Sequence, residues 1–530
     1  MPPRRTNQRT TDVPAEKLLF DAANALRGSV ESSEYKHLVL GLVFLKYVSD
    51  GFEARRRALD ALTRDAQSEW FANDEQERAE ILEDRDAYEV VNVFWVPKEA
   101  RWDALLALGS QPDLGVQLDA ALGLIERENR ALKDVLPKVY ARAAISPETL
   151  GMLVSTIARI GFGADPEKAR DVLGRVYEYF IKEFARSEGH RGGEFYTPAN
   201  VVRLLVEMLQ PYHGRILDPA CGSGGMFVQS AKFLRAHAGT GDELAIYGQE
   251  LNQATWRIGR MNLAIHGLSG NVALTQGGSL LDDAHPTLKA DFVIANPPFN
   301  QKKWGSGQVA EDARWKWGLP PDGNANYAWI SHFASHLAPD GRAGFVLANG
   351  SLTSAQSGEG AIREALVRDD LVDCIVALPP GLFYTTGIPV CLWFLDRAKA
   401  SGGERDRRGG MLFLDARGMG TKISRTQIEL SDEEIERLVG TYAAWRGQDG
   451  AAPYADVPGF CASADLATAE QAGFTLSPGR YVGAPEEEED EVAFEERMAE
   501  LVETLEAEMA ENERLAAEVK QALRRVGYGG

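Results

Sequence analysis

Four consecutive residues of this 530-residue chain, Asn296-Pro297-Pro298-Phe299, have the types needed to activate a planar amine. The exocyclic amine of adenine and the side-chain amide of glutamine are both poor nucleophiles, because the nitrogen lone pair is delocalised into the conjugated system. An amide oxygen and a backbone carbonyl that together accept both N–H bonds favour a tetrahedral, reactive nitrogen. Asn296 supplies the first acceptor and Pro297 the second. Pro297 and Pro298 stiffen the turn, and Phe299 offers a face on which an extruded base can lie. Taken alone, the tetrapeptide is equally a rigid turn closing the strand DFVIA. Its meaning depends on what stands beside it.

A second constellation lies upstream. Asp218-Pro219-Ala220-Cys221-Gly222-Ser223-Gly224-Gly225 follows the strand RIL and precedes the helix MFVQSAKFL. Glycines allow a sharp turn and a close approach of backbone to ligand, and the helix start offers free N–H groups. By itself this is also an ordinary strand-to-helix turn. Glu250, at the end of the next strand, LAIYGQE, is placed to accept hydrogen bonds from ribose hydroxyls. Asp218, Gly222, Ser223, Gly224, Gly225 and Glu250 together describe a site for a nucleoside-bearing cofactor. No metal is expected: Cys221, Cys374, Cys391 and Cys461 are far apart and form no Cys-x-x-Cys pair. No Gly-x-x-x-x-Gly-Lys-Ser/Thr loop is present, which argues against NTP hydrolysis.

These motifs need elements to position them. From about Leu18 to Arg170 the apolar residues recur at helical spacing, as in Leu19, Phe20, Ala23 and Leu26. ENRALKDVLPKVYARA and PEKARDVLGRVYEYFIKEFA read as amphipathic helices, so residues 1–170 form an α-helical domain. Residues 171–483 alternate short β-branched runs with helical stretches, the pattern of βαβ units in a largely parallel sheet. Ligands of such sheets sit at the carboxyl ends of the strands, where both constellations fall. The fold class is α/β: a doubly wound, Rossmann-like domain after a helical one. Residues 484–530 carry an acidic run, PEEEEDEVAFEE, then a helix with Met498, Leu501, Leu505, Met509 and Leu515 near heptad spacing. That tail is either a solvated helix or one that docks on a partner.

Composition narrows the class further. Hydrophobic residues are 44% and charged residues 25%, an ordinary globular mixture. No apolar run approaches the roughly 18 residues that span a bilayer, and the basic N-terminus lacks a secretory apolar stretch. A cytoplasmic protein without a membrane role is expected. The formal net charge is −21, unfavourable for a protein that holds nucleic acid unaided.

The order GGEFYTP (Gly192–Pro198), then DPACGSGGM, then NPPF resembles the amino-methyltransferases that place a cofactor-clamping segment before the glycine loop. Within them, SEYKHLVLGLVFLKYVSD and FTLSPGRYVG resemble type I restriction–modification modification subunits, over about Leu18 to Gly483. The resemblance implies methyl transfer from S-adenosylmethionine to the N6 of adenine in DNA. It implies cofactor contacts from Glu194, Phe195, Tyr196, Thr197, Pro198 and Ala199 and from Ser223 to Gly225, with Glu250 on the ribose. It also implies an assembly of two such subunits with one specificity subunit, joined by a restriction/translocase subunit in the full complex. One departure stands out. Relatives often carry an acidic residue before Ser/Thr-Leu after the third strand, whereas this chain reads Gln276-Gly277-Gly278-Ser279-Leu280. Asp282 or Asp283 stands near enough to substitute, and no cofactor role is assigned there.

Two weaker signals follow. Lys302-Lys303-Trp304 and Arg314-Trp315-Lys316-Trp317 mix positive charge with stacking surfaces, so they read either as DNA contacts or as a surface loop. Phe383 and Tyr384 are either base-pocket lining or packed core. Two rival functions are methylation of a protein glutamine and a non-catalytic assembly role. The early clamp segment and long helical domain oppose the first. Intact Asn296, Pro297 and Phe299 oppose the second.

Overall fold

Burial of one helical stripe organises the first part of the chain. In the computed structural model, which describes residues 32–143, 145–159, 173–174, 177, 179–180, 197–237, 244–383, 388–400, 405–424, 427–484 and eight positions between 502 and 519, helix α1 (Ser32–Arg64) turns Leu38, Leu42, Leu45, Phe52 and Leu59 inward. Phe52 stacks on Tyr88 with ring centroids 4.7 Å apart and meets Trp95 edge-on at 5.3 Å, both favoured aromatic geometries. Helices α2 (Leu114–Glu128) and α3 (Pro147–Ile157) complete the core. Ser146 caps α3 by accepting from Thr149 N, with Pro147 in the first turn.

The helix expected over residues 128–143 does not form. Asn129 ends α2: its Nδ2 donates to Ile125 O at 2.7 Å and to Trp95 O at 2.8 Å, and its Oδ1 accepts from Trp95 N at 2.9 Å. Asp134 then takes a φ of +61°, and Pro137 has no N–H to give a helix. The apolar residues Leu132, Val135, Leu136 and Tyr140 are buried all the same. Periodicity reported burial correctly there, but not conformation. The helix expected over residues 166–185 is described only at Leu173, Gly174, Tyr177, Tyr179 and Phe180, all helical. Residues 18–26 lie outside the described residues.

After α4 (Ala199–Leu209), strands and helices alternate: β1 (Gly214–Asp218), α5 (Gly225–His237), β2 (Leu244–Glu250), α6 (Gln253–Ile265), β3 (Gly270–Leu274), β4 (Ala290–Ala295), α7 (Asn326–His336) and β5 (Leu337–Ala348). Then come α8 (Glu359–Arg368), β6 (Val372–Ala377), β7 (Val390–Asp396), β8 (Gly410–Asp415), the short pair β9 (Thr421–Lys422) and β10 (Ile428–Glu429), α9 (Asp432–Arg446) and β11 (Cys461–Asp465). Nine strands form one sheet in the order β11-β8-β6-β7-β5-β4-β1-β2-β3. Pairing is parallel from β3 through β5 and between β6 and β8; β7 and the edge strand β11 run antiparallel to their neighbours. Strand β1 has β2 on one side and β4 on the other, so the winding reverses between β1 and β4. Their carboxyl ends border the crevice where doubly wound sheets bind ligands.

Helix α6 joins the helical region to the sheet. Its Ile258, Met261 and Ile265 belong to the same buried cluster as α1, Leu132 and Tyr177. Tyr177 donates to Ile258 O at 2.9 Å, and Arg260 Nη2 donates to Ala131 O at 3.2 Å. Helices and sheet thus share one compact unit, Met1–Val482; Gly483–Gly530 is a second. In that second unit Val502, Met509, Leu515 and Val519 are helical and exposed. Among the described residues no helix is long and apolar enough to cross a membrane.

The joint predicts its own weakest point. Met261 is fully buried, so Met261→Ala should cost about 2–5 kcal/mol, the range for truncating a long core side chain. Urea unfolding followed by circular dichroism measures this, and a loss below about 1 kcal/mol would mean that α6 does not carry the joint.

Candidate active site

The loop after β1 is held from three directions. Gly222 and Gly224 take φ values of +52° and +75°, a region costly for side chains with a Cβ. From β2, the Glu250 carboxylate accepts Gly222 N at 3.0 Å, Leu251 N at 2.9 Å and Asn252 N at 2.8 Å. From α6, Asn262 Nδ2 donates to Ser223 O at 2.8 Å, and a Cβ on Gly259 would lie 2.7 Å from Gly222 O. The loop is therefore pressed onto α6 where that helix has no side chain. Cβ atoms built on Gly222 and Gly225 meet nothing within 4 Å, so the other side of the loop is an open cradle. Asp218, beneath it, is 1% exposed and accepts Ala220 N at 3.0 Å; burial pushes its carboxyl up to about 8 despite that bond.

The second motif closes β4, the parallel neighbour of β1. Asn296 Nδ2 donates to Thr197 Oγ1 at 2.8 Å, while Asn296 Oδ1 is buried and accepts no hydrogen bond among the described residues. An oxygen kept dry and unpaired is costly unless something uses it. Phe299, 8% exposed, meets Phe383 edge-on with centroids 5.9 Å apart. Behind the motif, Asn300 N donates to Asn326 Oδ1 and Asn326 Nδ2 to Asn300 Oδ1, both at 3.0 Å, pinning the turn to α7.

The basic and aromatic loop that follows is not a stacking surface. Trp304, Trp315 and Trp317 are buried, and their ring N–H groups go to Pro321 O, Val309 O and Asp369 Oδ2. Arg314 turns inward to Asp312, to the carbonyls of Ser279 and Leu280 at 3.0 and 2.8 Å, and to His332 Nδ1 at 3.0 Å. It ties this loop to the turn after β3, whose Ser279 hydroxyl reaches Pro219 O. Indole rings can fill a loop core when their N–H finds an acceptor, and that is what overturns the DNA-stacking reading. Only Lys302 and Lys303 of the first triplet are exposed.

Asp283, His332 and His336 each place one ligand atom within 4.8 Å of the others. The hydrogen bonds nevertheless make a brace of them. A guanidinium only donates, so His332 Nδ1 accepts from Arg314, while His332 Nε2 is buried with no hydrogen-bond partner among the described residues. Burial pushes the His332 ring well below its ordinary range. Both nitrogens of His336 face acceptors, Leu288 O at 3.0 Å and Asp283 Oδ2 at 2.9 Å. Burial alone would raise Asp283, but the bond from His336 and the nearby imidazoles hold its carboxyl well below the usual range. Asp283 is thus committed to α7 and is no substitute for the acidic residue missing near Gly278; Asp282 is exposed.

Of the residues singled out from sequence, the structure gathers Asp218, Gly222, Ser223, Gly224, Gly225 and Glu250 in one cradle. Asn296, Pro297, Pro298 and Phe299 stand at the adjacent strand end. Thr197 reaches Asn296; Pro198 is buried at the start of α4, and Ala199 is exposed. Glu194, Phe195, Tyr196 and Tyr384 lie outside the described residues. Sequence reasoning missed Gly259 and Asn262. The available signal was a glycine inside a helix, where it costs stability unless another backbone comes close.

The N-6 DNA methylase family matches residues 168–490, and the HsdM N-terminal domain matches residues 15–157. The type I restriction enzyme HindI methylase subunit of Haemophilus influenzae is 41% identical over 451 residues, 82% of this chain and 100% of that protein. The MjaIX methylase subunit of Methanocaldococcus jannaschii is 38% identical over 520 residues, 97% of this chain and 91% of that one. The crystal structure of a type I restriction-modification system methyltransferase subunit from Streptococcus thermophilus has the same fold, with a TM-score of 0.71 at 24% identity over 88% of this chain and 99% of the other.

Two outcomes follow from the cradle. Replacing glycine by alanine within a helix ordinarily stabilises by about 0.5–1 kcal/mol. Gly259→Ala should do the reverse, because its methyl would meet the Gly222 carbonyl; a raised thermal midpoint would show that loop and helix are not in contact. For Asp218, the folded pKa of about 8 lies above the ordinary carboxyl value. Stability linked to its proton is then full below that ordinary value and is lost as pH rises to about 8. Asp218→Asn keeps an acceptor for Ala220 N and cannot ionise. Its stability relative to the parent chain should climb across that window and level off above it; a pH-independent difference in urea unfolding would refute the shift.

Proposed function

The chain belongs to the N-6 DNA methylase family, among the methylase subunits of type I restriction enzymes, and from that premise we propose that it moves a methyl group from S-adenosylmethionine to the N6 amine of an adenine extruded from DNA. One observation carries the reading: the buried Asn296 Oδ1 beside the glycine cradle, which accepts no hydrogen bond among the described residues. An oxygen so placed has a use if an amine N–H enters.

The cradle fits the proposed cofactor. Open space above Gly222 and Gly225 leaves room for a ligand against the backbone, and Glu250 stands at the strand end where ribose hydroxyls are bound in such sheets. Bound there, the cofactor would supply an electrophilic methyl group. Glu250 has a second task, since it already accepts three backbone N–H groups and so sets the shape of the loop. Asn296 Oδ1 and the Pro297 carbonyl would accept hydrogen bonds from the two amine N–H groups and turn the nitrogen lone pair outward. Phe299 would stack on the base, displacing part of what now covers its ring.

We assign residues 1–170 to a helical domain, 171–483 to the catalytic domain and 484–530 to a tail that docks on a partner. The tail's exposed Met509 and Leu515 support docking. A specificity subunit would read the DNA sequence, with two copies of this chain per specificity subunit and a restriction subunit completing the complex, in the cytoplasm where the DNA lies. A purely structural role sits poorly with an unpaired acceptor kept at some cost in the pocket.

Asn296→Ala separates chemistry from binding. In the complex with its specificity subunit, transfer of labelled methyl to DNA should fall about 100-fold or more, with S-adenosylmethionine affinity by calorimetry unchanged. N6-methyladenine in the digested product identifies the acceptor. Wild-type rates in this variant, or label in protein instead of DNA, would overturn the proposal.

A further inference from the structure

We infer that Thr197 is a positioning residue for the reaction: its hydroxyl fixes the Asn296 amide with the oxygen, not the NH2 group, facing the acceptor amine. The inference rests on the role proposed for Asn296, and it gives Thr197 work beyond the cofactor contact that the resemblance implies.

The two ends of a carboxamide are nearly equal in size and opposite in function. With Oδ1 forward, Asn296 accepts an amine N–H. With Nδ2 forward, donor meets donor and the amine is repelled. Shape alone does not choose, so hydrogen bonding must. Thr197 Oγ1 lies 2.8 Å from Asn296 Nδ2, and the forward oxygen is buried without a partner among the described residues.

A hydroxyl both donates and accepts, so Thr197 could pair with either end of the amide. What decides is the group left over. In the observed orientation the remainder is one carbonyl oxygen. In the flipped orientation Thr197 would donate to Oδ1, and the NH2 would sit where the unpaired oxygen now lies, with its hydrogens unpaired in a dry site. Buried orphan N–H groups are rarer in proteins than under-satisfied carbonyls, and each costs a desolvation penalty. The observed orientation is therefore the cheaper one, provided the hydroxyl is present. Without it, both orientations lose their single bond and neither is selected.

Placement supports the same reading. Thr197 directly precedes Pro198, the capping residue of α4, whose proline ring restricts the backbone at that point. Strand β4 fixes the other partner, through its register with β1 and β5. The two groups come from positions ninety-nine residues apart in the chain, so their contact is set by the fold and not by local sequence.

The test uses the full chain in complex with its specificity subunit and compares Thr197→Val, of similar shape without the hydroxyl, with Thr197→Ser, which keeps it. Thr197→Val should lower kcat for DNA methylation at least about 10-fold, since small misplacements of catalytic groups carry costs of this size. The loss should persist at saturating S-adenosylmethionine, with affinity read separately by calorimetry, and Thr197→Ser should restore most of kcat. Combined with Asn296→Ala, the valine change should add no further loss, because it acts through that amide. Wild-type kcat in Thr197→Val, or a loss confined to cofactor affinity, would overturn the inference while leaving the role of Asn296 intact. A multiplicative loss in the double variant, or no rescue by serine, would overturn it equally. Wild-type activity in Asn296→Ala alone would instead remove the reading on which it stands.

Discussion

The grip of α6 on the loop after β1 is the contact on which the rest of the site depends. Asn262 holds Ser223 O, and the bare face at Gly259 lets Gly222 O come in against the helix. One turn of helix thus sets the loop from below while Glu250 sets it from the side. The same helix buries Ile258, Met261 and Ile265 among the N-terminal helices. Because a close-packed interior transmits small shifts, the N-terminal helices help to position the cradle without touching it.

At β4 the constraint is of the opposite kind, because a group is left unsatisfied there. Most buried polar atoms in a folded chain find partners, and Asn296 Oδ1 has none among the described residues. The surroundings make that tolerable by over-determining the turn: Asn300 and Asn326 exchange hydrogen bonds, and Thr197 takes the amide nitrogen. Stability elsewhere in the turn offsets a local cost, as is common where a site must be ready before its ligand arrives.

Much of this was legible in the residues, and the failures have specific causes. The expected strands RIL, LAIYGQE and DFVIA are all present, because buried β-branched runs between turn residues leave little choice of conformation. NPPF and the glycine loop were readable because each is local: a few adjacent residues carry the whole geometry. Gly259, Asn262 and the Thr197–Asn296 bond were not, since each depends on which distant segments the sheet brings together. The helix proposed for residues 128–143 failed where Pro137 and Asn129 outweighed an apolar stripe. The loop tryptophans misled for a related reason. Composition cannot say whether an indole beside a lysine faces solvent or, as with Trp315 over Val309 O, fills the interior.

That last correction bears on the charge. With Trp304, Trp315 and Trp317 buried, Arg314 turned inward to Asp312 and Lys316 paired with Asp369 at the surface, the loop beside the target motif leaves Lys302 and Lys303 as its exposed cations outside those pairs. A chain of net charge −21 has weak grounds for holding DNA by phosphate attraction alone. For an enzyme of the proposed kind this is a useful deficiency. An amide that accepts from the target amine, the role proposed for Asn296, reads no sequence, and a chain of this kind that gripped any duplex would modify any accessible adenine. If affinity and readout both come from the specificity partner, methylation is confined to the sites that the partner selects, and the weakness of this chain for DNA becomes part of how the complex achieves specificity.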